Sequence, residues 1–203
     1  MANARSYVVA VEGLSDAIES VAEIPASITR FARLAVNHTA RKSRTIASRK
    51  IREQVAFSAS YLSDANGRLT ITRHATDENP EAIITGRSRP TSLARFSNGT
   101  RTSRGVRVRV DPGGAKTMGR AFFMKLRAGR APIETKSNKG LAIRLKPGET
   151  IANKHRMVQV SGNLYLLYGP SVDQVFRSVA EDIAPEAAEI MQREFLRLSE
   201  RFS

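Results

Sequence analysis

The chain has 203 residues, no cysteine, no tryptophan and 6% aromatic residues. That length buries one substantial core, while disulfides, thiolate metal sites and a cysteine nucleophile are excluded. Its 33 Lys and Arg against 19 Asp and Glu give a net charge of +14. No stretch nears the ~20 apolar residues that span a bilayer, and the apolar run at residues 7–11 is too short for a signal-peptide core. A soluble, non-secreted chain with no membrane partner is expected.

In chain order, residues 6–13 (SYVVAVEG) read as a short strand ending at a glycine. Residues 14–62 read as mostly helical, with Ser15 as N-cap, a break or kink at Pro25, and an apolar stripe resuming at Ile28, Phe31, Ala32, Leu34 and Ala35. The run RKSRTIASRKIR at 41–52 predicts a basic helix or helix–loop–helix. Ile46, Ile51 and Val55 form its narrow buried face, and Arg41, Lys42, Arg44, Arg49, Lys50 and Arg52 spread over the remainder.

After the turn signal Ala65-Asn66-Gly67 the period changes to two. Leu69, Ile71 and Arg73 alternate with Thr70 and Thr72, and EAIITG supplies a second strand to pair antiparallel with them. Residues 98–105 (NGTRTSRG) read as a polar loop; VRVRV then puts Val106, Val108 and Val110 toward a core and Arg107 and Arg109 away from it. Further strands are expected at 120–126 and 141–145, with Pro147-Gly148 as a type II turn. A hairpin follows, RMVQV and LYLLY joined through residues 161–163. From Val172 to Phe202 apolar residues recur at steps of three and four, a helix with Pro185 inside it to kink or divide it.

This order predicts an α+β fold, a mostly antiparallel sheet flanked by N-terminal helices and a C-terminal helix. Residues 1–65 form the N-terminal strand and helical region, which packs on the sheet or reaches out as an arm. Residues 66–203 form the sheet and last helix, and the whole makes one compact unit.

The charge is unevenly placed. Residues 30–58 hold eight basic residues and one acid, residues 87–130 twelve and one, and residues 173–203 four Arg and seven acids. The first two regions suit an anionic partner, nucleic acid or an acidic protein surface. Solvated faces, or copies pairing basic and acidic ends, account for the same pattern. The candidate interaction residues are therefore the six on the basic helix together with Arg101, Arg104, Arg107 and Arg109. With no stacking aromatics beside these arginines, sequence readout of nucleic acid is not expected.

Reactive motifs fail in detail. His38, His74 and His155 have no second His at helical spacing, and the carboxylates three and four residues after His74, Asp77 and Glu78, fall in the turn at 77–80 and not on a helix, so no metal site is expected. DPGGAKTMG at 111–119 resembles a phosphate loop, but Ala115 stands between Gly114 and Lys116 where the motif requires adjacency. No G-x-S-x-G elbow occurs. The basic regions lack the clustered carboxylates of a metal-dependent nuclease. No catalytic residue, metal or cofactor is expected, and the chain reads as a non-enzyme.

The stretch LYLLYGPSVDQVF, residues 164–176, reads as a strand, a corner and a helix start. Gly169 takes the dihedral that leaves the sheet, and Pro170 ends the ladder. Ser171 and Gln174 form a capping box after Tyr168. This stretch resembles the hallmark of the phage minor tail protein Z family, the tail-completion proteins of long-tailed phages. The segments ARLAVNHTARKSRTIASRKIREQ (32–54), RPTSLARFS, SRGVRVRV and AFFMKLRAGRAPIETKSNKGLAIRL are similar to other parts of that family, so the likeness spreads over roughly residues 30 to 180. Residues 140–144 depart from its Arg-first order.

The resemblance implies a structural virion protein at the head-proximal end of the tail, in the neck, that supports head–tail joining and genome passage. It implies other tail and neck proteins as partners, a homo-oligomeric, hexameric ring, contact with packaged DNA, and residence in the virion after assembly in the host cytoplasm. The alternative from the residues alone is a non-sequence-specific nucleic-acid-binding protein that uses the Arg-rich segments.

Overall fold

The computed structural model describes residues 7–8, 26–126, 139–149 and 157–202. Within them the fold is α+β, a long helix toward each end of the chain and antiparallel strand pairs between. The strands form three separate sheets, not one. Most of them pair with a neighbour in sequence, so each hairpin or meander closes a small sheet of its own.

The first helix, α1, runs from Ala26 to Gln54 without interruption. The basic stretch 41–52 is thus part of one helix and not a helix–loop–helix. No Gly or Pro falls inside it, and Ala32, Val36, Ala40, Ser43, Ala47 and Ile51 are all buried at steps of three and four. Tertiary burial of that stripe, more than propensity, holds a helix of this kind. The expected break at Pro25 and cap at Ser15 lie outside the described residues, as does the strand expected at 6–13 apart from β1, Tyr7–Val8.

The last helix, α2, spans Val172–Phe202, the segment its apolar spacing predicts. Val172, Val175, Phe176, Val179, Ile183, Ala187, Met191 and Leu198 are buried. Pro185 lies inside α2 and does not divide it. It is exposed, so the rung lost with its missing N–H lies on the solvent side.

The chain divides into two units, the first of residues 1–52, 58–88 and 172–203, the second of 53–57 and 89–171. The boundary expected at residues 65–66 falls inside the first unit. There, β2 (Leu69–Arg73) pairs antiparallel with β3 (Ile83–Gly86), as their alternation predicts, and β1 pairs with the other edge of β3. α1 packs along this hairpin. Asn37 Nδ2 donates to Ala75 O and its Oδ1 accepts from the Ala75 N–H, both at 2.9 Å. α1 and α2 touch, with Thr39 Oγ1 3.6 Å from Met191 Sδ and His38 3.8 Å from Glu194. Phe31, Ala35, Val36 and Ala40 share a buried cluster with Met191 and Leu198. Gly86 admits the first turn of α2, since a Cβ there would stand 2.8 Å from Asp173 Cα.

The second unit holds β4 (Thr91–Ser92), β5 (Ser97–Thr102), β6 (Gly105–Val108), β7 (Lys116–Met118), β8 (Phe122–Lys125), β9 (Lys139–Arg144), β10 (Met157–Ser161) and β11 (Leu164–Gly169). One sheet is ordered β5-β6-β7; the other is ordered β10-β11-β9-β8, with β4 also pairing on β11. Val106 and Val108 are buried and Arg107 and Arg109 exposed, as strict alternation predicts. Residues 98–105, expected to be a loop, instead form most of β5 and a tight turn. Thr102 pairs with Gly105 and leaves Ser103-Arg104 between them. β5 is exposed along nearly its whole length, so it carries no apolar alternation to mark it as a strand. Pro147-Gly148 make the predicted turn, with the Glu149 N–H donating to Lys146 O at 3.1 Å and φ of Gly148 at +76°.

Candidate interaction surfaces

At 100° per residue, Arg41, Lys42, Arg49 and Arg52 fall within about 100° of one another on α1. They stand opposite its buried stripe. All four are exposed, and none makes an ion pair among the described residues. Lys50 lies on the flank and is half-buried. Arg44 does not belong to this face. It sits one position round from the stripe and turns inward, where its Nε donates to Leu69 O at 2.8 Å and its Nη2 to Leu62 O at 3.2 Å. Asp64 lies 3.5 Å away, and the side chain is 18% exposed. Arg44 is a clamp that ties the 58–69 connection to α1, which removes it from the candidate interaction set.

The arginines of the second unit do not form one patch. Register places Arg101 opposite Val106 and Arg107 opposite Thr117, so the two stand on different faces of the β5-β6-β7 sheet. Arg101, Arg104 and Arg107 are exposed and unpaired among the described residues. Arg109 is engaged locally. Its Nε donates to Pro112 O at 3.1 Å, with Nη2 on the same oxygen, and so holds the turn at 111–114. In that turn Asp111 Oδ1 accepts from the Gly113 N–H at 2.8 Å, which makes the phosphate-loop lookalike a connection between strands.

Two further features lie outside the candidate interaction residues. Lys125 and Lys139 stand directly opposite each other in the β8–β9 ladder, both exposed, an arrangement that destabilises a sheet when the charges find no counter-ion. No sequence signal marks them, because the register of two strands so far apart is tertiary. On α2, Asp182, Glu186 and Glu189 line one exposed face at steps of four and three, and none is ion-paired among the described residues. Helical spacing alone identifies that face.

Other acids are engaged. Glu194 accepts from Arg197 Nε at 2.9 Å and Nη2 at 2.8 Å. That hydrogen bonding, with lesser help from charge on His38 and Arg197, holds its carboxyl below the ordinary value, and Arg197 is raised in turn. Asp173 accepts from Arg177 Nη2 at 2.7 Å. In the second unit Arg120 grips both oxygens of Glu149, which also accepts the Lys146 N–H at 2.8 Å. The Arg120 bonds, then the backbone bond, lower the Glu149 carboxyl.

The charge divides by unit. The second unit carries seventeen Lys and Arg against four acids, while the first carries sixteen against fifteen. Nearly the whole net charge belongs to the sheet-rich unit.

At the junction, β11 runs to Gly169 and α2 starts at Val172, with Pro170 and Ser171 between. Tyr168 and Gly169 still pair with Ser92 and Thr91. Gly169 does not have a positive φ, so the corner does not need its dihedral freedom. What it needs is space: a Cβ would lie 3.1 Å from Leu93 Cδ2 and 3.2 Å from Phe96 Cε2. Ser171 is buried and Gln174 exposed.

Among the described residues no three His, Asp or Glu side chains are grouped to hold a metal ion, and no helix is long and apolar enough to cross a membrane. Compared with protein-family models, curated proteins and solved structures, the chain matches none.

Proposed function

We propose that the chain is a structural component of a long-tailed phage virion, a minor tail or tail-completion protein in the neck that supports head–tail joining and genome passage. It works through its surfaces and catalyses nothing. It joins copies of itself and other tail and neck proteins, and faces the packaged DNA as a polyanion.

The observation that carries this reading is the division of charge. One unit concentrates the positive charge, with exposed, unpaired Arg101, Arg104 and Arg107 among its cations. The other is balanced in total, with eight of its cations on α1 and seven of its acids on α2 beside four arginines. A protein that must surround DNA and also hold neighbours requires both kinds of surface. The likeness of Leu164–Phe176 to the tail-completion hallmark directs the reading to the neck.

In the phage that encodes the chain, gold-labelled antibody is expected to mark the point where tail meets head. A nonsense codon early in its reading frame is expected to leave filled heads and unjoined tails. Complete, infectious particles without the chain would end the proposal.

The second reading, a non-sequence-specific nucleic-acid-binding protein, is favoured by the same excess of cations in the second unit. It requires tight binding of the isolated chain to duplex DNA, with log K falling by about 0.9 per neutralised phosphate for each unit of log salt.

A further inference from the structure

We propose that copies of this chain join side by side, the basic face of α1 on one copy seated against the acidic face of α2 on the next. The contact deepens the reading of the chain as an assembling component and rests on it. Arg41, Arg49 and Arg52 on one helix, and Asp182, Glu186 and Glu189 on the other, are exposed and make no ion pair among the described residues. The unit that holds them has sixteen cations and fifteen anions. Charge of both signs is therefore available within one copy, yet on these two faces it is left unmatched. A second copy supplies the match.

The geometry suits a repeating contact. At 1.5 Å per residue the basic stripe from Arg41 to Arg52 is about 16 Å long and the acidic stripe from Asp182 to Glu189 about 10 Å, so the three carboxylates fit within the span of the cations. A second copy that sets its α2 stripe against this α1 stripe brings carboxylates to cations. The patches differ, so the contact is heterologous, and a rotation that closes turns it into a ring. Apposed carboxylate and guanidinium groups also give orientation, because α1 against α1 or α2 against α2 sets like charges together.

Two triple variants of the full chain test this. The α1 variant carries Arg41→Glu, Arg49→Glu and Arg52→Glu; the α2 variant carries Asp182→Lys, Glu186→Lys and Glu189→Lys. All six positions are exposed, and far-UV circular dichroism checks that both variants keep their helices. In sedimentation velocity near 0.1 M salt the wild-type chain is expected to self-associate, and each variant alone to do so about a hundredfold more weakly, since every contact then sets like charges together. Mixing the two variants restores association. The reversed α1 of one meets the reversed α2 of the other, and their unaltered faces pair as in the wild type. A wild type that stays monomeric at every concentration, variants that associate as well as it does, or a mixture that stays monomeric overturns the contact. A gel shift with duplex DNA separates the alternative use of the basic face: a monomeric wild type whose DNA binding is lost only in the α1 variant assigns that face to nucleic acid. Gold label at the neck with no rescue in the mixture removes this contact and leaves the virion reading. Rescue with no label at the neck does the reverse.

Discussion

Gly105 turns with φ at +114°, and a Cβ there would lie 2.3 Å from Met118 O and 2.6 Å from Gly119 Cα. Both obstacles are backbone, so neither moves aside as a side-chain tip does. Gly105→Ala is expected to destabilise the chain by about 3 kcal/mol or more, the upper end of overpacking costs with a disfavoured dihedral added. Gly169→Ala meets only side-chain atoms, at 3.1 Å and beyond, and is expected to cost less than half as much. Urea denaturation of both variants checks the order, and an equal cost would mean that the Leu93 and Phe96 side chains cannot yield. The same contrast separates two arginines three positions apart. Arg44→Ala removes two charge-assisted bonds to Leu62 O and Leu69 O, a loss of about 3 kcal/mol. Arg41→Ala breaks no bond or ion pair among the described residues and is expected to stay within about 0.5 kcal/mol of wild type. Nothing in the residue type distinguishes these two side chains; only their angle from the buried stripe does.

α2 carries Pro185 in its interior and is nonetheless continuous from Val172 to Phe202. Proline costs a helix interior about 3 kcal/mol relative to alanine. Because Pro185 is exposed, Pro185→Ala is expected to restore a solvent-side rung and raise the unfolding midpoint in urea; a fall would mean that the packing of α2 uses a bend at this point. The same helix gives a pH dependence. Glu194, bonded to Arg197 and close to His38 on α1, has its folded carboxyl below the ordinary value of 4.5. A depressed folded value contributes stability that is present above 4.5 and lost as pH falls through the folded value. Glu194→Gln is expected to flatten that acid-side loss, read as the slope of the urea midpoint against pH below 4.5. An unchanged slope would show that the Arg197 pair persists in the unfolded chain. Elements such as α2 are legible in a sequence because large apolar side chains mark one face at every turn. α1 is less so, since its buried stripe is largely Ala and Ser, whose weak hydropathy leaves a helix–loop–helix open. β5 is invisible, because an exposed strand held by backbone bonds has no period to read. The division into three sheets and the opposition of Lys125 to Lys139 depend on register between distant segments, which no local pattern encodes. The basic face of α1 is legible as a set of residues, but the exclusion of Arg44 from it is not.

Across the whole molecule, the net charge of +14 and the sorted faces of α1 and α2 act on association in opposite directions and at different ranges. Whole copies repel through their net charge, almost all of it in the second unit. That repulsion reaches about 30 Å at 0.01 M salt, and its range shrinks to about 10 Å at 0.1 M. Apposed carboxylate and guanidinium groups meet at hydrogen-bonding distance, and screening weakens them only when the range falls to about 3 Å near 1 M. Self-association is therefore expected to be weak at both ends of the salt range and strongest near 0.1 M, whereas DNA binding falls steadily as salt rises. Replacing Arg101, Arg104 and Arg107 with Gln removes three exposed cations from the second unit and leaves the α1 and α2 faces intact. That variant is expected to associate more strongly than wild type at 0.01 M, to match it near 0.1 M, and to bind duplex DNA with a shallower salt dependence, by about 0.9 for each phosphate that these arginines neutralise. Sedimentation velocity and a salt-titrated gel shift on the same protein measure both. Association that only falls with salt, in wild type and variant alike, would mean that net repulsion does not govern how copies meet. An unaltered DNA slope would take these three arginines out of any polyanion interface.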